Sequence, residues 1–174
     1  MTSSAFSRLR RATRSAVATL ALAGLAACDG DSPLTPLPAQ GPPTTLEFSM
    51  GGFGGDSYAF ELKGETVEFV RTPWEGMQNE APDTLRAKPT AQQWEAFWVE
   101  ARAAGVGRWR GEHVARDVID GTGWRLEIVA DGRRIEAIGS NLYPDRKGEW
   151  HPGMTPDFRR FTGAVYMLVG LVVN

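Results

Sequence analysis

Residues 122–138, TGWRLEIVADGRRIEAI, decide how this chain folds. Trp124, Leu126 and Ile128 alternate with Arg125 and Glu127, the period of two expected of a strand with one buried face. Asp131-Gly132 suits a tight two-residue turn, and residues 133–138 return as the partner strand. The same period recurs upstream. Leu46, Phe48 and Met50 alternate with Glu47 and Ser49, and Tyr58, Phe60 and Leu62 form a second strand that Gly64-Glu65 turns into residues 66–71.

Two segments change the period to that of a helix. In residues 90–104, Thr90 and Gln93 have the capping-box spacing, Trp94, Phe97, Trp98 and Ala101 share one stripe, and Gly105 ends the run. Near the C-terminus Thr155-Pro156 opens a second helix with Phe158, Phe161, Val165, Leu168 and Val169 on its apolar face. Its apolar end, residues 165–173, is too short to cross a bilayer. Residues 72–88, interrupted by Pro73 and Pro82, read as a long loop, and residues 140–153 as a second polar stretch. The predicted order is β-β-β-α-β-β-α. It implies an α+β domain of two layers, an antiparallel sheet of about five to six strands packed by two helices.

The chain has 174 residues, enough for one domain, which the patterning places at residues 44–174. Before it, residues 29–43 hold five prolines in fifteen positions and read as an extended tether of about 3 Å per residue. Residues 1–27 carry Arg8, Arg10, Arg11 and Arg14 and no acid, followed by a 13-residue apolar run at 15–27. That is the layout of an export signal rather than of a membrane span. Without those residues the formal charge falls from -2 to about -6, 15 basic against 21 acidic side chains. An acidic domain has no footprint for a phosphate backbone, so no nucleic-acid partner is expected.

The apolar run ends in Leu25-Ala26-Ala27-Cys28, which resembles the lipobox of bacterial lipoproteins. The resemblance implies diacylglycerol on the Cys28 sulfur, cleavage before Cys28, and anchoring of the mature protein to a membrane of the cell envelope. One acyl chain holds a protein only marginally and two or three together hold it firmly. Asp29, next to the modified cysteine, resembles the enteric signal for retention at the inner membrane, which implies its periplasmic face. Lineages that do not read the signal leave the outer membrane open. Arg10-Arg11 leaves Sec and twin-arginine export both open. Cys28 is the only cysteine, so the folded part has neither disulfide nor thiolate chemistry.

Residues 120–144 also resemble a run carried by bacterial proteins of uncharacterised activity: Asp-Gly, a Trp in a strand, a hairpin, and Gly-Ser-Asn-x-Tyr-Pro before a C-terminal helix. Asp120, Gly121, Trp124, Gly139, Ser140, Asn141, Tyr143 and Pro144 match it. The resemblance implies a fold and no activity.

The remaining candidates carry little chemistry in their spacing. Gly51-Gly52-Phe53-Gly54-Gly55 lacks the Lys-Ser/Thr ending of a phosphate loop and precedes a strand, so it reads as a hairpin loop. His113 and His151, the only histidines, fall in segments that read as irregular. Metal binding by them would need carboxylates such as Glu112 or Asp117, and a hydrolase would use either with nearby carboxylates, but no nucleophile motif or metal-ligand spacing accompanies them, and no metal or cofactor is expected. Asp117, Asp120 and Asp145 lack the calcium-loop spacing. Trp94, Trp98 and Trp124 belong to the core by periodicity, which leaves Trp74, Trp109 and Trp150 as candidates for a ligand or sugar ring. The expected ligand corner is Asp120, Asn141, Tyr143 and Trp150. Taken together, these features predict a lipid-anchored envelope protein with a non-enzymatic binding domain. Its partners would be the membrane, through Cys28, and another envelope protein. A histidine hydrolase and a tryptophan-based ligand binder remain the alternatives.

Overall fold

The computed structural model describes residues 37–38, 40–74, 81–118 and 120–171. The export signal, Cys28 and Asp29 lie outside the described residues. The elements run β1 Thr45–Gly52, β2 Ser57–Lys63, β3 Thr66–Thr72, β4 Asp83–Ala87, α1 Ala91–Ala103, a 3-10 turn at Val106–Arg108, β5 Gly111–Val114, β6 Thr122–Ala130, β7 Arg133–Ser140, β8 Leu142–Pro144, β9 Trp150–Pro152 and α2 Pro156–Leu168. The fold is α+β. Seven strands form one sheet in the order β4-β3-β2-β1-β6-β7-β5, and β8 and β9 form a separate small one. All pairs are antiparallel except β5 with β7.

The sheet has more strands than the alternation of its residues announces. β4 lies inside the expected loop at 72–88. Only Leu85 of it is a large apolar residue and four of its five positions are exposed, so no period marks it. It is fixed instead by the β3 ladder and by Arg86 on Glu68 and Arg71 on Asp83, at 2.6 and 2.8 Å. β5, with only four residues (GEHV), and the β8–β9 hairpin lie in segments read as irregular. His113 and His151 therefore sit on strands.

Register gives the sheet two unlike faces. Ala137, Leu126, Phe48, Phe60, Phe69 and Leu85 stand abreast on β7, β6, β1, β2, β3 and β4. α2 covers the middle of this face, where Phe158 and Phe161 meet Phe48 at 6.2 and 5.4 Å, and α1 packs on α2 through Phe97, 6.2 Å from Phe161. The next row, on the opposite face, is Glu136, Glu127, Glu47, Glu61 and Glu68 with Arg86 at its end. Five like charges directly opposite one another oppose pairing. Arg125, Arg134 and Lys63 offset the repulsion by bridging the row from its sides.

The proline-rich stretch joins the domain before its end. Trp98 Nε1 donates to Gly41 O at 2.7 Å, the Arg102 guanidinium donates to Pro38 O, and Pro43 is buried. Leu37 packs against the core.

Candidate functional site

The corner expected from the sequence is built around Asn141. This residue takes a left-handed backbone, φ +57°, which asparagine tolerates better than most side chains. Its Oδ1 accepts the Thr122 N–H at 2.9 Å and its own N–H donates to Thr122 O at 2.9 Å. The side chain thus extends the β6–β7 ladder past the last backbone pair. Gly121 leaves room for it, since a Cβ there would lie 1.8 Å from Asn141 Oδ1. Gly139 does the same beneath Trp124, whose Nε1 donates to Leu142 O at 2.9 Å.

From there the corner clamps α2. Tyr143 is buried, with its ring edge-to-face to Phe158 at 5.0 Å. Pro144 O accepts the Thr155 hydroxyl at 2.6 Å, and that hydroxyl oxygen caps α2 by accepting the Phe158 N–H at 3.0 Å. Asn141 and Tyr143 are therefore occupied in holding the fold, and Asp120 is exposed at its margin. Residues 120–144 form a joint between sheet and helix.

Trp150, the fourth candidate, lies half-buried between two rings. It stacks on His113 at 3.8 Å and 16° and on Trp124 at 5.6 Å and 8°. Trp109 is fully buried, with Nε1 donating to Asp145 O at 2.9 Å, which removes it as a ligand platform. Trp74 stays 40% exposed, edge-on to Phe53 at 6.3 Å, and Phe53 at the β1–β2 tip is 74% exposed.

The two histidines have separate roles. His113 Nε2 meets Arg110 O at 3.2 Å, so that nitrogen carries a proton. His151 Nε2 lies 3.1 Å from Asp145 Oδ2, while Asp145 Oδ1 accepts the Lys147 and Glu149 N–H groups at 2.8 and 3.0 Å. Burial alone would raise the Asp145 carboxyl. The two backbone donors and His151 outweigh it and hold the group below its ordinary value. Asp145, Glu149 and His151 bring ligand atoms of the type a divalent cation takes within 4.8 Å of one another. Both Asp145 oxygens, however, are already engaged in closing the β8–β9 turn. Among the described residues neither imidazole contacts a hydroxyl nucleophile.

A concavity lies elsewhere, between α2 and the sheet at β1 to β3. Sequence reading missed it because its residues come from four separate segments. It measures about 710 Å³, within the ~300–1,000 Å³ usual for small-molecule sites. Met50, Tyr58 and Phe69 form the sheet side, Thr162, Gly163 and Tyr166 the helix side, and Met154 and Leu171 the ends. Arg71 and Arg159 also line it. Tyr166 is packed against Phe60 at 4.9 Å and Phe69 at 5.8 Å. Burial, with Tyr58 beside it, pushes its hydroxyl up to about 12, so it stays a proton donor. Met50, Tyr58 and Met154 also wall a smaller hollow of about 230 Å³ that reaches Phe53.

No family model matches the chain, and no curated protein or solved structure matches it either.

Proposed function

We propose that this chain is a lipid-anchored protein of the bacterial cell envelope whose domain is a non-enzymatic binding module. The observation that carries the binding reading is the apolar groove between α2 and β1–β3. It is concave, lined by aromatic and methionine side chains, and supplied with a few polar groups, the composition of a ligand site. The polar residues that looked functional in sequence are engaged in the fold, Asn141 on β6 and Asp145 in the β8–β9 turn. Support for the location is the lipobox-like Leu25-Ala26-Ala27-Cys28. Among the described residues no helix is long and apolar enough to cross a membrane.

The Asp145–His151 contact favours one rival, an envelope hydrolase in which the carboxylate orients an imidazole base. Cells lacking the protein and complemented with variants separate the two. Gly163→Leu, which puts a side chain into the groove, should abolish complementation, and His113→Ala and His151→Ala should complement fully. Loss of function in either histidine variant at normal protein level, with Gly163→Leu active, would overturn the binding reading in favour of the hydrolase.

A further inference from the structure

We propose that the groove binds a single-chain carboxylate amphiphile, a free fatty acid, with its head at Arg159 and its chain along Phe69 and Tyr166 toward Leu171. This rests on the binding-module reading and names its ligand. The helix side of the groove comes from Arg159, Thr162, Gly163 and Tyr166, spaced i, i+3, i+4 and i+7 on one face of α2. Arg159 and Tyr166 are thus about 10 Å apart along the axis. The groove has a charged end on the helix and an apolar end at Leu171, the polarity of a fatty acid.

The charges agree with an anionic head. Arg71 is held by Asp56 and Asp83 at 2.9 and 2.8 Å, so its charge is already balanced. Arg159 is exposed and forms no ion pair with the described residues. The Tyr58 and Tyr166 hydroxyls also make no hydrogen bond to the described residues, and both line the groove. A guanidinium beside apolar walls suits a carboxylate that carries a hydrocarbon chain.

Gly163 keeps the site open. A Cβ built there meets nothing within 4 Å, although its neighbours along α2 pack against the core. Glycine inside a helix costs about 1 kcal/mol relative to alanine, so a larger residue here should block the groove without weakening the helix.

The test uses the full chain in its own membranes, with diazirine-bearing palmitic acid or the corresponding alcohol as photoreactive probe. Adducts are mapped by mass spectrometry. The acid should label residues of β2, β3 or α2 that line the groove. Gly163→Leu should lower that labelling about ten-fold with thermal stability unchanged or raised. Arg159→Gln should bring the acid down to the level of the alcohol. Adducts outside the groove, equal labelling by acid and alcohol in the unaltered protein, or undiminished labelling of Gly163→Leu would each overturn the assignment. So would preferential labelling by a diacyl phospholipid probe, or no adduct at all, as expected if a second copy or residues 172–174 filled the groove. Absence of labelling together with loss of complementation by Gly163→Leu would reject the fatty acid and leave the binding module standing.

Discussion

Asn141 shows how one side chain joins two parts of the molecule. Its amide completes a ladder bond to Thr122 from a left-handed backbone, and Gly121 and Gly139 give the space this corner needs. Asn141→Ala leaves the Thr122 N–H without its partner and retains the unfavourable φ. It should cost about 2 kcal/mol in urea unfolding, with Asn141→Asp costing less because an oxygen acceptor remains. Asp145 acts through its charge. An unfolded aspartate titrates near 4, and in the fold this one is held lower by the Glu149 and Lys147 amides and His151 acting against burial. Its contribution is therefore complete above about pH 4 and is lost as pH falls through the lower folded value. Acid titration of stability should show this loss, and Asp145→Asn should flatten that part of the profile.

At the scale of elements, α2 depends on Thr155 at both ends of one hydroxyl, which caps Phe158 N–H and satisfies Pro144 O. Thr155→Ala should cost about 1–2 kcal/mol, more than Thr→Ala at an exposed cap, and calorimetry checks it. On the open face the glutamate row invites the opposite result. Glu47 is its middle member and forms no ion pair with the described residues, while its neighbours Glu61 and Glu127 are bridged from the sides. Glu47→Gln should raise the melting temperature by about 1–3 °C, and the gain should shrink in 1 M salt.

The helices and hairpins β1–β2, β2–β3 and β6–β7 were legible in sequence because their apolar residues recur at the periods of 3.6 and 2 that burial requires. Strands β4, β5, β8 and β9 were not, because each is short and ladder bonds and side-chain pairs place it, rather than an apolar period. The site was not legible. Of the expected corner, Asn141 and Tyr143 hold the sheet–helix joint, Trp150 is stacked between His113 and Trp124, and none of them lines the groove. The groove was invisible because Met50, Phe69, Tyr166 and Leu171 read locally as core or strand residues and meet only after folding.

As a whole molecule, the protein has two unlike faces and a groove at the boundary between helix and sheet. The proline-rich stretch is fastened to α1 through Gly41 and Pro38. The proposed location depends on acylation at one sulfur. The decisive measurement is the intact mass of the protein extracted from bacterial membranes, made beside Cys28→Ser. A chain beginning at Cys28 with a diacylglyceryl mass increment, absent from Cys28→Ser, is expected. An unmodified Cys28, or equal release of both forms into the aqueous fraction, would contradict the anchor and the function built on it.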